Sequence, residues 1–482
     1  MILNSKPRRA ALALGCIAFL TGCGSKVVDV DDPRSCFPEA ARSWIHATAA
    51  AKPAETRKAD AATVYVDRSG SMVGYINGAT ASARPLQDLI GNLPAMLSAQ
   101  QVGTRFKAFG TSISQPLTQA EQGSLMQPAY YTCAKGGACD NQESRLDSVF
   151  KEIAANKQGM ALVVTDLWFS NSDIQTSALS ALAEPLAEIL STDRAVAIYG
   201  ISAPFDGQIY DLPYASAPMR FKGEHPLFVI AVGSNEQIAG LHESWKRAPS
   251  PYLAEELSGG RVKRTLFTLN PAAKSEALAS PLSETNHPAL SQEAVLESHE
   301  GLRLQEFVLN ADSAFRPAPG TTAPQWKGPS ASAFIPDSVW DGRFDTKTRV
   351  WERRDTACTD ADWLEAAPLN GLWSGEGAGP RTFTLNPERL ATELGRAGTY
   401  LVTGEVVRTE VASPNPASEW IRKWSFAPGN SSPARQGENG TAFFPTLHLS
   451  EAARLLENAL ATASRRRPAP VVGFAVAVKV DR

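Results

Sequence analysis

From residue 62 the chain alternates apolar runs with segments of helical periodicity. "ATVYVD" (62–67) reads as a buried strand. "ARPLQDLIGNLPAMLSAQ" (83–100) places Leu86, Leu89, Ile90, Leu93 and Leu97 near one helical face. "TRFKAFG" predicts a strand, "SRLDSVFKEIAAN" an amphipathic helix and "MALVVTD" (160–166) an apolar strand. A helix over "ALSALAEPLAEILST", strands over "AVAIYGIS" and "PLFVIAVGS" (226–234), and a helix over "NEQIAGLHESWK" follow. Apolar strands that alternate with helices predict an α/β domain over 61–255, its sheet mostly parallel and covered on both faces. The Pro-, Tyr- and Gly-rich stretch 203–226 reads as a loop insertion near one rim. Beyond about 255 strand-like segments dominate, among them "RTLFTLN", "TYLVTGEVVRTE", "WIRKWSF" and "VVGFAVAVKV". Helical patterns are fewer: "PERLATELG" and "SEAARLLENALATAS". Residues 256–482 are therefore expected to form a second domain, β-rich or α+β. In "FTLNP", at 267 and 383, Asn is placed to cap a helix with Pro at its first position.

The first residues carry a different signal. Lys6, Arg8 and Arg9 precede the apolar "AALALGCIAFL" (10–20), which is too short to span a bilayer. "LTGC" (20–23) resembles a bacterial lipobox, the site cleaved before a lipid-modified cysteine. The resemblance implies a signal peptide at 1–22 and a lipidated Cys23; the acidic, then Ala-rich stretch that follows reads as a tether over 23–60 with one short helix starting at Pro38. The resemblance also implies a bacterial cell-envelope protein held in the membrane by its N-terminal lipid. Gly24 after Cys23 favours the outer over the inner membrane.

Composition changes this picture little. The chain has 482 residues, 43% hydrophobic, enough for sizeable cores. Its formal charge of −3 becomes −6 once the three cations of the leader are removed. No domain-wide basic field marks a nucleic-acid partner. The one basic run, "SRRRP" (464–468), follows a helical pattern, where cations suit the negative end of the dipole. Besides Cys16 and Cys23 there are four cysteines, Cys36, Cys133, Cys139 and Cys358. Export makes two disulfides the expectation. Cys133 with Cys139 across "AKGGA", and Cys36 with Cys358, is one of three possible pairings.

Chemistry concentrates at "VYVDRSGSMVGY" (64–75). A carboxylate and two hydroxyls at the C-terminal end of a strand are hard oxygen donors, suited to Mg²⁺, Mn²⁺ or Ca²⁺. Gly70 lets the chain turn between Ser69 and Ser71. "DRSGSM" after an apolar strand resembles the D-x-S-x-S signature of the von Willebrand factor A fold, a Rossmann-like α/β domain. In that family the motif builds a metal-ion-dependent adhesion site. The resemblance covers about residues 62–250. It implies a divalent cation, Mg²⁺ first, held by Asp67, Ser69, Ser71 and Asp166 of "VVTDLW". A further hydroxyl is expected from Ser144, with Thr111 in "FGTSIS" the other candidate. Leu167 and Trp168 stand where the family usually has Gly. Trp168, Phe169 and Tyr75 are read either as rim aromatics or as core.

Such a site implies binding of a protein partner that offers a carboxylate to the ion. Two other classes stand beside it: a structural envelope scaffold without metal, and a metal-dependent hydrolase. The chain has no Walker A loop, no H-E-x-x-H and no G-x-S-x-G. The expectation is therefore a binding protein rather than an enzyme.

Overall fold

The computed structural model describes residues 26–28, 35–37, 61–100, 102–132, 141, 143–157, 159–168, 180–212, 215, 217–247, 253–254, 257, 259–271, 287–297, 303–316, 319–321, 325–327, 335–354, 363–365, 372–375, 382–426, 434–437, 440–468 and 470–481. The leader, Cys23, Pro38, Cys133, Cys139, Cys358 and Phe169 lie outside them. Cys36 is disulfide-bonded.

The first strand, β1 (Lys26–Val28), belongs to a sheet completed far downstream. The next six build the first sheet: β2 (Ala61–Asp67), β3 (Gly103–Phe109), β4 (Ala161–Thr165), β5 (Ala195–Ile209), β6 (Met219–Gly233) and β7 (Lys263–Phe267). Across it the order is β3-β2-β4-β6-β5-β7. Pairing is parallel for β2 with β3 and with β4, and antiparallel from β4 outward through β6, β5 and β7. The sheet is thus mixed rather than mostly parallel. The cause lies between β5 and β6. A parallel return needs a crossover of a dozen or more residues. Only residues 210–218 join these strands, so the chain makes a hairpin.

That hairpin also replaces the expected loop insertion. β5 and β6 stay paired from Ala195–Gly233 out to Ile209–Met219, so 203–226 is mostly a two-stranded ribbon. The ribbon folds over the short helix α1 (Val73–Asn77) that follows the D-x-S-x-S turn. A Cβ on Gly74 would stand 2.2 Å from the Phe205 ring, so only glycine admits this approach.

Helices cover both faces. On one lie α1, α2 (Pro85–Ser98) and, later in the chain, a helix over Asn235–Lys246; their apolar residues share a core with Val64, Val66 and Leu162. On the other lie α3 (Leu146–Ala155) and α4 (Ala183–Ser191), against Tyr65, Val163 and Ile198. With the helix Asn235–Lys246 numbered α5, a Ser234–Gln237 capping box starts it, satisfying N–H groups at both ends of the first turn.

The second sheet uses β1, β8 (Leu290–Glu297) and β9 (Arg303–Asn310). Three short strands follow in the chain with one long one among them: β10 (Gln325–Lys327), β11 (Gly342–Arg353), β12 (Trp363–Glu365) and β13 (Trp373–Gly375). Then come β14 (Thr382–Leu385) and β15 (Gly398–Val411). The remaining strands are β16 (Ser425–Phe426), β17 (Arg435–Gln436), β18 (Ala442–Phe443), β19 (Thr446–Leu447) and β20 (Pro470–Asp481). The order in the large sheet is β1-β8-β9-β20-β15-β11-β12. Residues 26–28, expected in a tether, thus pair in parallel with β8. Helix α6 (Pro387–Leu394) packs on this sheet and begins as expected: Pro387 occupies its first turn and Asn386 Oδ1 accepts from Arg389 N (3.0 Å).

The two halves interlock. β7 lies beyond residue 255 yet pairs with β5. After β15 the chain returns to the first sheet. "WIRKWSF", expected as a strand, forms α7 (Glu419–Lys423) ahead of the two-residue β16. Asn415 Oδ1 accepts from Ala417 N just before it, and such a local bond starts a helical turn. β18 pairs with β6 at Phe443–Glu224. Helix α8 (Leu449–Arg466) then lies along α4 before β20 re-enters the second sheet. The basic run at the C-terminal end of α8 pairs with acids: Arg466 makes a two-pronged pair with Glu184 (2.9 and 2.8 Å), and Arg467 reaches Asp193 (2.7 Å).

Candidate metal centre

β2 ends in Asp67 and β4 in Thr165. Register pairs Val66 with Val164, so Asp67 and Thr165 meet at the C-terminal edge of two parallel strands. Asp67 is fully buried and its carboxylate is saturated by neutral donors. Ser69 N donates to Oδ1 (2.8 Å) and Thr165 Oγ1 to Oδ2 (2.7 Å). The Ser144 hydroxyl reaches both oxygens (3.0 and 2.8 Å). Ser69 and Ser71 hydroxyls lie 3.1 Å apart across Gly70. They and Ser144 are half-buried, a hydroxyl layer above the two buried carboxylates Asp67 and Asp166.

Backbone bonds hold the three loops together. Gly70 N donates to Asn141 O (3.2 Å), and Arg145 N donates to Gly110 O (3.0 Å), which seats Ser144 over the strand end. Thr111 sits exposed on the loop after β3 and makes none of the bonds to Asp67. Of the two candidate hydroxyls, it is Ser144 that meets the carboxylate.

Asp166 follows Thr165. Its Oδ1 accepts from Trp168 N (3.2 Å), while Oδ2 is buried with no hydrogen-bond partner among the described residues. Leu167, between them, has φ 50°, the left-handed region that a bulky side chain rarely adopts. This is the conformation that glycine supplies without strain. Burial of Leu167 in the α3–α4 core and a bond from its N–H to Thr165 Oγ1 (3.1 Å) hold it there.

Electrostatically the centre is short of positive charge. Burial, and then the charge of Asp166, push the Asp67 carboxyl up to about 7; the bonds from Ser69, Thr165 and Ser144 oppose the shift. Burial likewise raises Asp166, opposed by the Ser71 hydroxyl and the Trp168 N–H. Among the described residues no cationic side chain is a hydrogen-bond partner of either. Two buried carboxylates, one with an orphaned oxygen, under a layer of hydroxyls fit a hard divalent cation. Among the described residues no three His, Cys, Asp or Glu side chains converge, so a softer, histidine- or thiolate-rich site is not built here.

The sequence reading missed Thr165. It is the one polar residue of β4, "ALVVT", a strand whose residues are otherwise all apolar. A buried threonine beside a carboxylate needs a partner, and that isolated polarity was its signal. The aromatics divide. Tyr75 is core, fully buried with its hydroxyl on Pro226 O (2.6 Å). Trp168 packs beside His225, Phe426 and Phe444. His225, pushed down to about 4 by burial, donates from Nδ1 to Phe444 O (2.7 Å). Among the described residues the exposed aromatic at the rim is Tyr210, at the ribbon tip. Its hydroxyl would lie 3.7 Å from a Cβ on Gly70.

Among the described residues no helix is long and apolar enough to cross a membrane. Comparison of the chain with protein-family models, with characterised proteins and with solved structures finds no match to any of them.

Proposed function

We propose that the first sheet carries a divalent-cation site through which the protein binds a partner protein. One observation carries the reading: two buried carboxylates lie at adjoining strand ends, with hydroxyls and no cation among their described hydrogen-bond partners. Asp67, Asp166, Ser69 and Ser71 would hold a Mg²⁺, with Ser144 and Thr165 fixing the Asp67 carboxylate by their hydrogen bonds. When bound, the ion supplies a coordination position that an acidic side chain of a partner can take. A hard divalent cation takes carboxylate oxygens readily, which favours an anionic group in that position. Tyr210 gives the partner an aromatic footing at the rim, a residue type enriched where partners dock.

The same reading places the protein at the bacterial envelope, by the lipobox-like "LTGC". β1 begins three residues after Cys23, so a lipid there would hold the second sheet close to the membrane surface.

The test is retention on an immobilised library of Asp- and Glu-containing peptides, with Mg²⁺ or with EDTA. Retention that requires Mg²⁺ and is lost in Asp166→Ala is the expected result. Retention unchanged by EDTA contradicts the metal bridge.

A further inference from the structure

The β5–β6 ribbon is fastened to the helix that follows the Ser69–Ser71 turn. Its approach to α1 leaves no room for side chains. A Cβ on Gly78 would stand 2.5 Å from Phe205 N, and one on Gly207 2.7 Å from Gly74 Cα. Phe205 packs edge to face on Tyr75 and on His225, each at 5.1 Å. Close packing of this kind resists sliding, so the ribbon keeps one position on the helix.

The ribbon tip is held as well. Ile209 and Leu212 are buried in the core that contains Val64 and Leu86, while Tyr210 between them is 37% exposed. Asp211 has φ 52°, a left-handed conformation that aspartate tolerates better than most residues. It turns the chain so that Leu212 re-enters the core. The Tyr210 hydroxyl stands 3.7 Å from the place of a Cβ on Gly70, the residue between the two serines. No hydrogen bond joins it to any of the described residues.

The other polar groups at this turn are engaged. Ser69 and Ser71 hydroxyls bond each other, and the Ser144 hydroxyl bonds Asp67. The amide of Asn141, also next to Gly70, donates to Tyr131 O (2.7 Å). Tyr210 is the neutral donor left beside the turn, facing solvent from an anchored position. We propose that Tyr210 is a specificity-determining residue of the partner site, its hydroxyl donating to the carboxylate that the partner brings to the Ser69–Ser71 turn. This rests on the reading of the strand-end cluster as a cation site. A carboxylate with one oxygen on the ion has a second oxygen to satisfy, and an O–H bond to a charged oxygen is stronger than one to a neutral oxygen. The site therefore selects an acid over its neutral amide by more than the ion alone would.

The test uses the full chain, Mn²⁺, and two probes: aspartate capped at both ends, and asparagine capped in the same way. Electron paramagnetic resonance measures Mn²⁺ affinity. Water-proton relaxation of the Mn²⁺-loaded chain follows each probe as it displaces metal-bound water. Tyr210→Phe keeps the ring and removes the hydroxyl. It should bind Mn²⁺ like wild type, bind the aspartate probe about tenfold more weakly, and bind the asparagine probe as wild type does. A wild-type chain that binds no Mn²⁺ overturns the cation reading and this proposal with it. With Mn²⁺ bound normally by both proteins, three results overturn the Tyr210 assignment alone: equal affinity for the aspartate probe, no binding of that probe by wild type, or equal weakening of both probes. Weaker Mn²⁺ binding in Tyr210→Phe also overturns it, because the hydroxyl would then serve the ion rather than the partner.

Discussion

Asp67→Asn exchanges one buried carboxylate for a neutral group of the same shape. In the wild-type chain, burial and Asp166 push this carboxyl from 3.8 to about 7. An acid whose folded pKa lies above its unfolded value destabilises the fold as pH rises. The penalty is absent below about pH 4 and complete above about pH 7. A rise from 3.8 to about 7 corresponds to about 4 kcal/mol at pH 8. The substitution removes that cost but turns an acceptor into an amide whose NH₂ faces hydroxyl donors. One or two weakened bonds return about 2 kcal/mol of it. The net gain is therefore about 2 kcal/mol at pH 8 and near zero at pH 5. The assay is thermal unfolding in EDTA at both pH values. At about 2–4 °C per kcal/mol for a unit of this size, the variant should melt about 4–8 °C above wild type at pH 8 and level with it at pH 5. Mg²⁺ at a hundredfold excess over its Kd should then stabilise wild type by about 3 kcal/mol and leave the variant unmoved. Parallel melting curves for the two proteins across pH in EDTA would refute the electrostatic reasoning.

Other substitutions probe what surrounds the centre. Thr165→Val removes a donor to Asp67 and the acceptor for Leu167 N; a loss of about 1–3 kcal/mol in denaturant unfolding is expected, with weaker Mn²⁺ binding. Glu457, buried in α8, accepts from Ser413, Asn415, Ser418 and Arg422 and so ties the returning segment to the first sheet. Glu457→Ala removes the acceptor those four share and the charge partner of Arg422, and should cost about 3–5 kcal/mol by the same assay. Gly200→Ala drives a methyl into Trp420; about 1–3 kcal/mol of stability should be lost, and tryptophan fluorescence should shift as the indole pair moves.

The centre was legible because its signals are local. Asp67, Ser69 and Ser71 lie within one turn, at the end of a strand whose apolar run is plain in the sequence. The helices were legible for the same reason: Leu86, Leu89, Ile90 and Leu93 fall on one face of α2 and are buried there. What local pattern leaves open is pairing. Phe205 and Phe221 belong to a ribbon that reads as loop, because Gly207 and Gly223 interrupt strand propensity while the ladder runs on through them. Trp420, Ile421 and Trp424 look like strand residues, since aromatic and branched side chains favour sheets. Here they serve instead as the buried side of a short helix docked on Thr265 and Gly200. The return of residues 413–448 to the first sheet rests on contacts such as Phe444 with His225, more than two hundred residues apart. No periodicity within either segment encodes such a contact.

The central claim is that the strand-end cluster binds a divalent cation. Titration of the EDTA-stripped chain with Mn²⁺, followed by electron paramagnetic resonance, tests it most directly. The account predicts a saturable site per chain that Mg²⁺ displaces and that Asp67→Ala and Ser71→Ala each abolish. No binding at millimolar Mn²⁺, or binding that survives both substitutions, would contradict it.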